Sequence, residues 1–202
     1  MSTMLRYFIL NFWVLSALLC SGFLSNSAFA DFTVRGHIVI KDSIYYLKTD
    51  NPSSEHLIIA ADEQVQKHLQ CLEEDDYLSG AASVINGSHF VLKSVEYVGI
   101  NKLLASWRDD SEVFNFYDFR TFYYWQFNKG INRFRGPFPY HYVLSPNGGS
   151  TNLCSWKIFI TNETEVVFGV INFVGSSRVR LDIYDSNTGE IYMTKILFKT
   201  NF

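Results

Sequence analysis

The clearest pattern in the chain is a pair of alternating segments that flank Asn86-Gly87. Apolar and polar residues alternate over residues 76–85 and again over residues 89–99. An Asn-Gly pair between two such segments is the strongest short-range indication of a β-hairpin. The pattern therefore predicts two antiparallel strands joined by a tight turn.

The segment before this hairpin predicts three strands and one helix. Three segments have the alternation or the short apolar runs that are typical of strands. They are residues 32–40, 44–48 and 56–60. The spacing then changes, because Val65, Leu69 and Leu72 recur at i, i+4 and i+7. That spacing predicts one amphipathic helix over residues 62–72.

The order of three strands, a helix and two strands is that of a small OB-fold barrel. Three motifs carry a resemblance to exported bacterial OB-fold domains. They are Gly36-x-Ile38-x-Ile40, Tyr45-Tyr46-Leu47, and Asp76-Tyr77-Leu78-x-Gly80 followed by Phe90-x-Leu92-x-Ser94-Val95. Residues 31–107 thus resemble such a domain, which implies a small barrel with one helix. The matching positions are core and turn positions, so the resemblance implies no functional residue.

The second half of the chain has a regular rhythm of short strands and turns. Turns rich in Gly, Asn and Ser separate apolar segments, a pattern that predicts an up-and-down antiparallel meander. The predicted strands are residues 140–144, 153–160, 166–173, 179–184 and 191–198. Their rhythm resembles a lipocalin-type barrel, and the resemblance implies an interior that is packed or holds a small apolar ligand. The whole chain is predicted to be mainly β, an OB-like barrel followed by a meander or barrel.

An unusually aromatic stretch, residues 114–127, precedes this meander. Rings occur at both parities, so both faces of a strand here need cover. Either the rings line a groove for a sugar or peptide, or the strand is buried on both sides. Arg133 and Arg135 follow, and their spacing places them on one face of an extended segment. They either bind a carboxylate or phosphate, or are simply solvated. The candidate binding residues are Tyr117, Tyr123, Trp125, Arg133, Arg135 and Tyr140.

The first 30 residues have the features of a cleaved signal peptide. Arg6 gives a positively charged start, and the apolar run that follows is too short for a comfortable membrane span. Ala28-Phe29-Ala30 supplies a small-x-small cleavage pattern, which places the mature start at Asp31. The expected location is periplasmic or secreted. An uncleaved anchor and a lipidated Cys20 are the alternatives.

Charge is distributed unevenly along the mature chain. Residues 31–110 carry a net charge of −6, whereas residues 111–202 carry +2. This shift predicts a domain boundary at residues 107–111; the alternative is that both halves share one core. The acidic first half would repel phosphates, so a nucleic acid is not expected as a partner.

Cys71 and Cys154 are the two cysteines that remain after cleavage. Either they form a disulfide that joins the two halves, or they are two buried thiols. His68-x-x-Cys71 has the spacing of a metal-ligand pair, but a second pair is missing. We therefore expect no metal and no cofactor.

Catalytic motifs are missing from the sequence. It has no Gly-x-Ser-x-Gly, phosphate loop or His-Glu-x-x-His, and its five histidines are scattered. The sequence favours an exported, non-catalytic interaction module of the cell envelope that binds a protein or glycan. The alternative is a carrier of a small hydrophobic ligand in the C-terminal barrel. An exposed aromatic patch favours the first, and a lined internal cavity favours the second.

Overall fold

β-Strands account for most of the structure, which confirms the prediction of a mainly β protein. The structure is a computed structural model that describes residues 31–50, 52–148 and 154–200. The predicted signal peptide and Cys20 lie outside the described residues. Asp31–Phe202 forms a compact unit.

The described residues include fourteen strands, one α-helix and one short 3-10 helix. In chain order the strands are β1 (Phe32–Lys41), β2 (Ile44–Asp50), β3 (Ser53–Ala60), β4 (Tyr77–Ile85), β5 (His89–Leu92), β6 (Tyr97–Gly99), β7 (Ser106–Arg108), β8 (Glu112–Phe116), β9 (Thr121–Asn128), β10 (Arg133–Pro146), β11 (Ser155–Thr161), β12 (Val166–Phe173), β13 (Arg178–Tyr184) and β14 (Ile191–Thr200). Helix α1 (Glu63–Leu69) lies between β3 and β4, and the 3-10 helix (Asn101–Leu103) lies between β6 and β7.

The first five strands close into a small OB-like barrel. β1 pairs antiparallel with β2 and with β4, β2 pairs with β3, and β4 pairs with β5. The parallel pairing of β3 with β5 completes the ring. Helix α1 begins where the Asp62 carboxylate accepts a hydrogen bond from the Val65 N–H at 2.9 Å. It buries Val65 and Leu69, whereas the predicted Leu72 is buried just beyond the end of the helix.

Two glycines allow this small barrel to close. A Cβ atom at Gly36 would overlap the backbone carbonyl of Lys48, and one at Gly80 would overlap the carbonyl of Ser94. Gly36 lies where β1 passes from its pairing with β4 to its pairing with β2. The two glycines of the OB-like motifs are therefore required by the close approach of the backbone.

Strands β7 to β14 form a closed up-and-down barrel of eight antiparallel strands. Each strand from β7 to β14 pairs with the next along the chain. The pairing of β14 with β7 closes the ring. The predicted meander therefore gains strands at its N-terminal side, and the barrel begins at Ser106 rather than at residue 140.

β10 is longer than its predicted core, and its first half is a sheet edge. Residues 133–140 pair with β9 on one side, while pairing with β11 begins only at His141. The strand bulges between Arg135 and Phe138, where Pro137 lies. Proline lacks the N–H that a central strand needs, which explains why this segment lies at an edge.

The two barrels meet at β6, which pairs with a strand of each. Val98 lies opposite Leu78 of β4 and opposite Leu144 of β10, and all three side chains are fully buried. Buried residues of both barrels belong to one hydrophobic cluster. The domain boundary predicted from charge, at residues 107–111, lies in the β7–β8 hairpin, about ten residues after β6.

A disulfide adds a covalent link between the same two barrels. Cys71 follows helix α1 and Cys154 precedes β11, and their Cα atoms are 5.2 Å apart. Of the two alternatives that the sequence left open, the structure contains the bonded form. The bond encloses a long loop, because its cysteines are 83 residues apart.

Removal of this bond should destabilise the protein. A loop of this length predicts a loss of about 4 kcal/mol in unfolding free energy for the double variant Cys71→Ala/Cys154→Ala. Urea titration with and without reductant measures the loss, and reductant should leave the double variant unchanged. The assignment is wrong if the oxidised wild type releases two thiols on unfolding.

The carboxylate of Asp76 joins the loop after α1 to the start of the 3-10 helix. It accepts hydrogen bonds from the backbone N–H groups of Glu73 at 2.8 Å and Asn101 at 2.6 Å. The residue is 1% exposed. Burial outweighs these two hydrogen bonds and raises the pKa of Asp76 to about 6.

We expect Asp76 to make the protein less stable as the pH rises. Its folded pKa lies above the ordinary value of 3.8. The stability that this carboxyl contributes is therefore fully present below about pH 4 and is lost as the pH rises through about 6. The unfolding free energy of the wild type, relative to Asp76→Asn, should fall by on the order of 3 kcal/mol over this range.

Urea titrations at several pH values measure this difference. The matched control is Asp75→Asn, which changes the exposed neighbour and should leave the pH dependence of the wild type intact. A constant difference between wild type and Asp76→Asn across the pH range would contradict the raised pKa.

Candidate functional site

The interior of the eight-stranded barrel contains a cavity of about 270 Å³. It lies toward the end at which β8 begins and β9 ends. Apolar side chains make up most of its wall: Phe114, Phe122, Ile160, Val167, Leu181, Ile183 and Met193. The polar lining residues are Glu112, Tyr124, Tyr140, Glu165 and Lys195.

Strand geometry explains which side chains reach this cavity. Inward positions recur at every second residue, so Phe122 and Tyr124 of β9 line it together, as do Leu181 and Ile183 of β13. An eight-stranded barrel is just wide enough for side chains to fill or for one small ligand. Since a cavity of about 150 Å³ holds benzene, this one accommodates about ten non-hydrogen atoms.

The opposite end of the barrel is filled by large side chains. Trp107, Trp156 and Tyr142 are each almost fully buried there. The Trp107 Nε1–H donates to the Leu103 carbonyl at 2.9 Å, and the Tyr142 hydroxyl donates to the Asp118 carbonyl at 2.7 Å. The barrel therefore has one packed end and one end with free space.

Aromatic rings form one side of the cavity. The rings of Phe122 and Tyr140 stack with centroids 5.2 Å apart, and Tyr124 meets Tyr140 edge-on at 6.0 Å. Phe114 lies 5.2 Å from Tyr124. These contacts hold the four rings in fixed positions.

A buried ion pair lies beside these rings. The Lys195 ammonium contacts one carboxylate oxygen of Glu112, and the Tyr124 hydroxyl donates to the other at 2.8 Å. The Lys195 and Glu112 side chains are only 14% and 12% exposed. Asp109 adds a second carboxylate 3.9 Å from the Lys195 Nζ. Burial, together with the hydrogen bond to Glu112, raises the pKa of Tyr124.

A second tyrosine–carboxylate pair lies at the mouth. The Tyr140 hydroxyl donates to Glu165 Oε1 at 2.9 Å, and the Asn162 side-chain amide reaches the same oxygen at 3.4 Å. Burial and this hydrogen bond raise the pKa of Tyr140. Both tyrosine hydroxyls of the cavity are therefore directed at carboxylates.

The structure separates the six binding residues predicted from the sequence. Tyr140 lines the cavity. Tyr117, Tyr123 and Trp125 lie outside the barrel. The ring centroid of Tyr123 is 6.1 Å from that of Tyr117 and 6.4 Å from that of Trp125.

Arg133 and Arg135 form the third group. They lie opposite Asn128 and Gln126 on one face of the β9–β10 hairpin, as their spacing predicts. Both arginines are exposed and neither lines the cavity. The binding role of the six residues stays a prediction.

Sequence reasoning missed Glu112, Tyr124, Glu165 and Lys195. A signal was present for two of them, because Glu112 stands two residues before Phe114 and Lys195 two residues before Leu197. A charged residue at the inward parity of a strand is a candidate for a polar site. Which charges meet, however, depends on pairing between distant strands.

A row of apolar side chains crosses the outside of the same barrel. Val143, Phe159, Phe168, Tyr184 and Ile191 lie directly opposite one another on β10 and the four strands that follow. Val143, Phe159 and Ile191 are exposed. This outer row is the second feature of the molecule that is suited to binding.

Within the described ranges, His, Cys, Asp and Glu side chains do not form a group of three or more that could hold a metal ion. No helix in that part of the chain is both long and apolar enough to cross a membrane.

Comparisons with known proteins give no assignment. No family model, curated protein or solved structure matches this chain. Function is therefore argued from the site alone.

Proposed function

We propose that this protein is an exported, non-catalytic carrier that holds a small, largely apolar ligand in the eight-stranded barrel. The observation that carries the proposal is the open-mouthed cavity of about 270 Å³ with its mainly apolar wall, lined by inward-facing side chains of the barrel. Concave, mostly apolar cavities with a few fixed polar groups are the usual form of small-molecule sites. Of the two functions considered from the sequence, this cavity favours the carrier.

Each part of the site has a role in this proposal. Burial of apolar ligand surface against Leu181, Ile183 and Met193 supplies affinity at about 25 cal/mol per Å². The polar groups around Glu112 and Glu165 orient the ligand. A closed barrel keeps these groups in place before the ligand arrives, which reduces the entropy cost of binding.

Two features support an exported location, periplasmic or secreted. The sequence of residues 1–30 has the pattern of a signal peptide. The Cys71–Cys154 disulfide is of a kind that persists in oxidising compartments.

The proposal predicts that a larger side chain in the cavity weakens ligand binding. Val167 lines the cavity, and its neighbour Val166 is 73% exposed. Val167→Phe should weaken the binding of indole, a neutral apolar probe of suitable size, by about tenfold or more, because a phenyl ring occupies the ligand's space. Val166→Phe is the matched control and should bind indole like the wild type. NMR titration of backbone amides measures both affinities.

Either of two results would contradict the carrier. The first is that indole leaves the amides of Leu181 and Ile183 unshifted in the wild type. The second is that the two valine variants bind indole equally well.

An interaction module that binds a protein or glycan is the second candidate. The outer row favours it, because Val143, Phe159 and Ile191 are exposed in line with the half-buried Phe168 and Tyr184, and exposed apolar patches often mark interaction sites. Its test is the variant Phe159→Ser, which should lose a partner cross-linked in the envelope while it retains indole binding.

A further inference from the structure

We infer that the ligand of the barrel cavity is a small organic cation, with an apolar body and a protonated amine. This inference rests on the proposed carrier function and names its ligand class. It is carried by three properties of the cavity lining: its hydrogen-bonding capacity, its charge and its aromatic rings.

Among the described residues, the lining has more free hydrogen-bond acceptors than free donors, because Lys195 supplies its only free N–H donors and the two glutamates keep several lone pairs. The hydroxyls of Tyr124 and Tyr140 already donate to Glu112 and Glu165. The Lys195 ammonium is engaged by Glu112 and lies 3.9 Å from Asp109. A carboxylate has about four lone-pair sites, so both glutamates keep acceptor capacity. A ligand that donates hydrogen bonds, such as an ammonium group, matches this lining.

The charges favour the same ligand. Among the described lining residues, Glu112 and Glu165 carry two negative charges against one positive charge on Lys195, whose Nζ also lies 3.9 Å from Asp109. An anionic ligand would have to approach these carboxylates, and the one cation in the lining is already paired. Arg133 and Arg135 lie outside the lining. The net charge near the ligand is negative, which attracts a cation.

The aromatic side of the cavity adds a third contribution. Phe114, Phe122, Tyr124 and Tyr140 line the space that also contains the carboxylates. Aromatic rings carry negative charge density on their faces and attract cations within about 6 Å. Four rings beside two carboxylates therefore recognise the head group and the apolar body of one small amine.

The test uses three probes of the same shape and different charge: benzylamine, benzyl alcohol and benzoate. Amide shifts in the full mature protein near neutral pH report binding of each. We expect benzylamine to bind about tenfold more tightly than benzyl alcohol, since cation–π contact and carboxylate pairing each contribute. Benzoate should bind most weakly.

A matched pair of variants ties this preference to the cavity. Glu165→Gln replaces the charge of a lining glutamate with a neutral amide, and it should weaken benzylamine about fivefold but benzyl alcohol by about twofold at most, because the alcohol loses no ion pair. Glu163→Gln removes the same charge two residues away, outside the lining, and should leave both affinities unchanged. Amide chemical shifts that match those of the wild type away from the cavity show that Glu165→Gln is folded.

The outcomes separate this inference from the carrier function. If benzyl alcohol or benzoate binds as tightly as benzylamine, the cation assignment is overturned and the carrier stands. If Glu165→Gln and Glu163→Gln weaken benzylamine equally, the assignment to the cavity is overturned. If none of the three probes shifts the amides of the lining residues, both the cation assignment and the carrier function are overturned.

Discussion

The pairing of β14 with β7 is the constraint on which the candidate site depends. It joins Phe198 to Arg108 and Thr200 to Ser106, and it converts an open meander into a barrel with an interior. Closure also buries Trp107, which lies opposite Lys199 and anchors to the Leu103 carbonyl. Without this pairing β7 and β14 would be free edges, and the space lined by β8 to β14 would face solvent.

Closure of the barrel places two charged side chains inside it. Glu112 and Lys195 are mostly removed from water, which costs several kcal/mol for each ion unless each is paired and hydrogen-bonded. The Tyr124 hydroxyl supplies a hydrogen bond to Glu112, and the Asp109 carboxylate lies near Lys195 as a second negative group. An apolar pair of similar volume would fill a core at least as well. The proposed ligand site gives this buried charged pair a role that packing alone does not supply.

Much of the fold could be predicted from local pattern. The apolar segment at residues 179–184 predicted strand β13, and the i, i+4 spacing of Val65 and Leu69 marked the helix, because both signals lie within a few residues. The short strand β7, Ser106–Arg108, could not be predicted in this way. Three residues are too few to show a period, and the partner strand β14 is at the far end of the sequence.

The candidate site was harder to predict for the same physical reason. Tyr140 was singled out because it is aromatic, but Glu112 and Lys195 look like solvated charges until the strands are paired. Similarly, Tyr123 and Trp125 differ from Tyr124 only in parity. Their position outside the barrel follows from the direction of the inward face, which an aromatic segment does not reveal by itself.

Intermolecular NOEs between bound indole and the methyl groups of the mature protein test the central claim most directly, because they locate the ligand. The account predicts NOEs to Leu181, Ile183 and Met193, which line the cavity. NOEs confined to Val143 and Ile191, on the outer row, would contradict it.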